Sequence, residues 1–187
     1  MPKSLKSLKG QLLLDGGKLR GSYFDKTVVL ICEHTAEGAF GLVLNRPSEN
    51  QLVDVLPAEL PERLKREILF GGGPAQPAAM SFLVHNSGAM KGNVLPGLNL
   101  GHSLEEMQEQ GEGWLLSGKL RVFAGYAGWA PGQLDDEMRR EAWLTHPASA
   151  DLIFLEPAAK LWHQILKRRS DWKERLLADA PDDLSLN

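Results

Sequence analysis

The chain has 187 residues, 43 % hydrophobic and 24 % charged, the composition of one globular domain whose core needs no disulfide or metal. Its 21 Lys and Arg against 24 Asp and Glu give a net charge of −3, so no chain-wide positive field draws it to nucleic acid. Cys32 is the single cysteine, and no apolar run is long enough for a signal peptide or a membrane span, which predicts a reducing, cytoplasmic setting without a membrane partner.

Residues 11–14 form a short apolar run. Residues 27–32 are rich in β-branched side chains and apolar on both faces, the pattern of a buried strand. Residues 39–44 form a second such run. The six polar or small residues between them, Gly38 included, predict an antiparallel hairpin, and Pro47 ends its second strand. Ser48 is a candidate cap for a short helix over 51–56, and Pro61 opens another. Residues 68–70 lead into Gly71, Gly72, Gly73 and Pro74, a tight irregular turn.

Residues 81–85 read as a strand. Ser103 and Glu106 fit a capping box, with Leu104 and Met107 on the apolar side of that helix and Gly111 and Gly113 ending it. Residues 119–124 alternate as a strand. A helix runs from Pro131 to about Arg140, its Asp135, Asp136 and Glu137 near the positive end of the dipole. Residues 143–144 and 152–154 read as short strands. Residues 158–178 read as one helix with Leu161, Trp162, Ile165, Trp172 and Leu176 at helical spacing, and residues 180–187 as a frayed tail. No repeat or linker divides the chain, so one α+β domain over residues 1–187 is predicted.

Few patterns carry chemistry. Gly72 and Gly73 follow a strand, where exposed backbone N–H groups can cradle an anion. A Walker loop would also need Gly-Lys-Ser/Thr, and Pro74 has no N–H, so a strained turn accounts for the glycines as well. Cys32 and His34 share a face of an ideal strand, but a thiol–imidazole pair needs hydrogen-bond reach, and a small buried hydrophobe is the simpler reading of the cysteine. His34, His85, His102, His146 and His163 lack HExxH or CxxC spacing, so no metal and no cofactor is predicted. No Gly-x-Ser-x-Gly elbow marks a serine nucleophile. In residues 125–134, Trp129 either walls a pocket with an anion at the helix start, or plugs the core while glycines turn the chain. Lys167, Arg168, Arg169, Lys173 and Arg175 interleave with Asp171 and Glu174, the pattern of a solvated helix face.

In their order, these pieces resemble the YqgE/AlgH family of bacterial proteins, sometimes described as transcriptional regulators. The resemblance rests on GQLL at 10–13, Phe24, VVLI at 28–31, Glu33 with His34, and EGAFGLVLNRP at 37–47. It continues with GGP at 72–74 and Gln76, FLVH at 82–85, GYAGW at 125–129, Gly132, Gln133, Leu134 and Trp143. It covers residues 8–165, with Ser81 standing where the family pattern has glycine. The resemblance implies a compact α+β domain whose curled, mixed and largely antiparallel sheet forms a partial barrel with flanking helices. It implies no agreed catalytic residue or cofactor. No helix-turn-helix with a basic recognition helix accompanies it, so direct nucleic-acid binding is not expected. The first functional reading is a binding or regulatory protein acting through a small molecule or a protein partner. The alternative is an enzyme in which His34 or His85 serves as acid or base and Asn45 orients a carbonyl beside the glycine loops. Under either reading the site is expected among His34, Asn45, Gly72, Gly73, His85, Trp129 and Gln133.

Overall fold

The apolar runs of the first fifty residues become β1 (Gln11–Asp15), β2 (Val28–Thr35) and β3 (Gly38–Val43) in the computed structural model, which describes residues 6–56, 60–88, 91–109 and 118–180. The remaining strands are β4 (Pro47–Gln51), β5 (Ile68–Gly71), β6 (Ala75–His85), β7 (Leu98–Gly101), β8 (Lys119–Trp129) and β9 (Trp143–Pro147). All nine join one mixed sheet in the order β4-β5-β8-β3-β2-β1-β9, with β6 also paired to β8 and β7 to β6. Only β5 and β8 run parallel; the other pairings are antiparallel. Among the described residues no pairing joins the outer strands, so the sheet does not close into a barrel.

Burial on both faces explains why the central strands are apolar throughout. Leu12, Leu14, Val28, Leu30 and Leu42 face one core, which the C-terminal helices cover. Leu13, Val29, Ile31 and Val43 face a second, with Trp129, Leu134 and Trp143. A third core lies under α1 (Leu52–Val55) and α2 (Glu62–Lys65), against Leu69, Phe82, Val84 and Val122. The other helices are α3 (Leu104–Glu109), α4 (Gln133–Arg139), α5 (Ala150–Ile153), α6 (Leu161–Lys167) and α7 (Trp172–Asp179), with a 3₁₀ turn at Ala158–Lys160.

The expected β2–β3 hairpin is present, with Leu30 opposite Leu42. Its strands run further than the apolar pattern: Thr35 pairs with Gly38, leaving only Ala36 and Glu37 as the turn. Four other expectations change. Ser48 lies within β4, and Gln51 instead caps α1, its backbone N–H donating to Asp54 Oδ2 (2.9 Å). Residues 125–129, read as a loop, continue β8. Residues 152–154, read as a strand, belong to α5 and the turn closing it, because Ser149 caps a helix there through Leu152 N–H. The predicted long C-terminal helix breaks between Lys167 and Trp172, where Asp171 accepts the Lys173 N–H (2.8 Å) and starts α7 afresh. The break resets the helical phase, so Trp172 and Leu176 are 59 % exposed rather than core residues. Gly111, Gly113, the Met107 side chain and residues 181–187 lie outside the described residues.

Trp162 anchors α6. It is 1 % exposed, and its indole N–H donates to the Asp15 carbonyl (3.0 Å) at the end of β1. Asp15 Oδ1 in turn accepts the Gly17 and Leu19 N–H groups, and Oδ2 that of Lys26, which shapes the loop after β1. Trp162→Ala is expected to lower stability by about 3–5 kcal/mol in chemical denaturation. A loss under about 1 kcal/mol would show that this packing contributes little.

Candidate functional site

A bulge in β2 sets up an open cleft. Ile31 pairs with Gly41, but Glu33 pairs with Phe40, so Cys32 is the extra residue. The alternation of faces slips at that point. Cys32 and Glu33 both border the cleft, whereas His34 meets Asp135 of α4 on the other side of the sheet. The shared face expected for Cys32 and His34 is thereby lost.

The cleft consists of two open cavities, of about 610 and 430 Å³, that share Glu33 and His102. Aromatic rings wall the smaller half: Phe40 stacks on Tyr126 (centroids 4.9 Å apart, 28° between planes), and His102 meets Phe40 edge-on at 5.6 Å. Gly128 leaves space for this stack, since a Cβ there would lie 3.0 Å from Tyr126 Cε2. His102 sits at the start of α3. Its backbone N–H donates to Glu106 Oε2 (2.6 Å), and Glu106 N–H donates to Ser103 Oγ (3.1 Å), so the expected capping pair fixes the histidine's position. Ser81 Oγ is 3.4 Å from His102 Nδ1. Lys9 and Asn93 line the larger half, and Asn93 is held rigid by two bonds of 2.7 Å to the Leu100 backbone.

The seven residues singled out in the sequence are placed elsewhere; none borders this cleft. His34 Nδ1 accepts the Leu8 N–H (3.1 Å), and its Nε2 lies 3.5 Å from Asp135 Oδ1. Asn45 is 2 % exposed and clamps the start of β2: its Oδ1 accepts the Val28 N–H, and its Nδ2 donates to the Lys26 carbonyl, both at 2.9 Å. His85 ends β6 opposite Lys119, its ring 6.2 Å from Phe154. Trp129 and Gln133 are brought together by Glu137. One oxygen of that carboxylate accepts the indole N–H of Trp129 (2.9 Å) and of Trp143 (2.7 Å), and the other accepts from Gln133 Nε2 (3.1 Å). Trp129 is 7 % exposed and belongs to the core with Trp143 and Phe24.

Gly72 and Gly73 lie where β5 crosses β8. Gly72 N–H donates to the Ala124 carbonyl and its own carbonyl accepts the Val43 N–H, both at 2.8 Å. A Cβ on Gly72 would stand 2.3 Å from the Gly125 oxygen, and one on Gly73 would stand 2.1 Å from the Tyr126 carbonyl carbon. Backbone therefore fills the space a side chain would need at these glycines, and the Gly72 N–H is used within the sheet. No group of three or more His, Cys, Asp or Glu among the described residues is placed to hold a metal ion. No helix among them is long and apolar enough to cross a membrane.

The AlgH-like family model matches residues 12–171, most of the strands and helices just described. The chain belongs to the AlgH-like family. It is 35 % identical over 97 % of its length to a UPF0301 protein of Streptomyces avermitilis, covering 96 % of that protein. A UPF0301 protein of Pelodictyon phaeoclathratiforme is 31 % identical, with 95 % of each chain covered. The solution structure of the AlgH protein from Pseudomonas aeruginosa superimposes with a TM-score of 0.69 at 30 % identity, over 97 % of this chain and 98 % of that one. A crystal structure of a Corynebacterium diphtheriae protein shares the fold, with a TM-score of 0.74 at 23 % identity, over 95 % of this chain and 94 % of that one.

Sequence reasoning missed Glu33, Phe40 and His102 as members of one cleft in this AlgH-like chain, and within residues 125–134 it weighed Trp129 rather than Tyr126. The capping box beside His102 was the available signal; nothing in linear spacing pairs residue 40 with residue 126. The thiol of Cys32 is fully buried at the cleft floor, donates to the Leu30 carbonyl (3.8 Å), and is pushed far above the usual thiol pKa by burial and then by Glu33. Native protein at pH 7 is therefore expected to react with a thiol reagent about a hundredfold more slowly than unfolded protein. Rapid stoichiometric labelling of the native state would show Cys32 to be a reactive group.

Proposed function

We propose that this chain is a binding protein that takes a small polar ligand in the cleft between Glu33 and His102. The observation that carries this reading is the junction of two cavities at those two side chains. Each of the two volumes falls in the range of metabolite sites, which are usually preformed and lined by apolar walls with a few polar groups. Here Phe40 and Tyr126 supply the wall, and Lys9, Glu33, His102 and Glu106 the polar groups.

An enzymatic reading finds less support. Ser81 and His102 form a hydroxyl–imidazole pair in the cleft, but 3.4 Å is long for an activating hydrogen bond and Ser81 is 3 % exposed. Glu106 spends an oxygen on a backbone N–H of His102 rather than on its ring. A regulatory role exercised through the ligand accords with this chemistry better than direct DNA contact. Among the basic residues near the C-terminus, Lys167 pairs with Asp179, Arg169 with Glu174 and the Thr145 carbonyl, and Arg175 with the Arg169 and Ser170 carbonyls.

Protein purified gently from native lysate, then denatured, is expected to release a small molecule detectable by mass spectrometry. Glu33→Gln combined with His102→Gln should abolish that release while shifting Tm by no more than about 2 °C, since neither side chain is in the core. His85→Gln, outside the cleft, should leave release unchanged. Wild-type protein that carries no ligand and is stabilised by no member of a polar-metabolite panel would contradict the reading.

A further inference from the structure

A second concave site lies on another part of the molecule. Between α2, the exposed end of β5 and the turn after α5 is an open groove of about 430 Å³. Its charged residues are Arg63, Arg66, Lys119 and Arg121 against Glu67 and Glu156, an excess of two positive charges in a chain whose net charge is −3.

The floor is built rather than incidental. Arg121 is 3 % exposed, and its guanidinium donates to the carbonyls of Leu44 (3.2 Å) and Leu155 (2.7 Å) and to Glu156 Oε1 (2.7 Å). It lies over the Phe70 ring, 4.6 Å from the centroid, with Phe154 at 5.9 Å. Glu156 is thus matched with Arg121. Glu67 stands near Arg63, which opposes the upward push of burial on its carboxyl pKa. Arg66 and Lys119 are exposed and supply the excess positive charge. Ile68, 38 % exposed, and the two phenylalanines give the same groove an apolar surface.

We infer that this groove is a binding site for a small organic anion, a phosphate or carboxylate group carried on an apolar body. The Arg66 guanidinium and the Lys119 ammonium match the oxygens of such a group, and the rings match the body. Desolvation by the apolar walls strengthens the charge attraction relative to an open surface. The inference is independent of the Glu33–His102 cleft, since the two sites share no lining residue.

The test uses phenyl phosphate and inorganic phosphate as probes of the full-length protein, by calorimetry and by amide NMR shifts. Phenyl phosphate is expected to bind saturably, more tightly than inorganic phosphate, with shifts centred on Arg66, Ile68 and Lys119. Arg66→Gln with Lys119→Gln should weaken it by about tenfold or more without unfolding the protein, since both residues are exposed. Glu33→Gln should not change it. Absence of saturation up to about 10 mM, equal affinity for the two probes, or equal affinity in the double variant would overturn the assignment.

Discussion

The crossing of two backbone segments, 72–73 over 125–126, is the constraint on which the rest of the structure depends. Strand β8 serves two neighbourhoods. Its first half lies between β5 and β6, and its last residues pair with β3. The change of partner happens at Gly125, whose φ of +72° is open chiefly to glycine. Gly72 fills the gap by bonding β8 on one side and β3 on the other. Contact this close excludes a Cβ on either chain: one on Gly125 would stand 2.4 Å from the Gly73 oxygen. The glycine-rich runs thus hold the sheet together where its two parts meet.

That junction also shapes the candidate site. Tyr126 follows the crossing directly and carries the ring that stacks on Phe40 across the β3–β8 pairing, where Phe40 opposes Gly128. The β2 bulge brings Glu33 to the same side. On the other face, Glu137 of α4 receives both indole N–H groups and locks the helix to the sheet. A carboxylate accepting several N–H groups satisfies donors that would be costly to bury alone. Trp129 and Gln133, which in the sequence suggested a pocket, are members of this lock.

Much of the fold was legible in the sequence because the central strands are apolar on both faces, a pattern with few alternative explanations. The β2–β3 pairing, the strand at 81–85, the Ser103–Glu106 cap and the helix after Pro131 follow from local chemistry that the structure keeps. The misread segments were short or obeyed a non-local cause. Residues 152–154 offer too few side chains to define a period, so the Ser149 cap decided the outcome. Asp171 divides the last helix although Trp172 and Leu176 keep an apparent helical spacing. The candidate site was harder still. His34 drew attention as an acid or base and Asn45 as a group to orient a carbonyl, and both are used to bond backbone. The groups that line the cleft come from β2, β3, β6, β8, the start of α3 and the segments around Lys9 and Asn93, and no linear spacing brings them together.

The central claim is that the 72–73 over 125–126 crossing, and not a ligand, requires these glycines. Chemical denaturation of Gly73→Ala beside Gly132→Ala tests it most directly. Both glycines have positive φ, but nothing lies within 4 Å of a Cβ on Gly132. The account predicts a loss of about 4 kcal/mol or outright failure to fold for Gly73→Ala, and only about 1–2 kcal/mol for Gly132→Ala. A Gly73→Ala protein as stable as Gly132→Ala would contradict it.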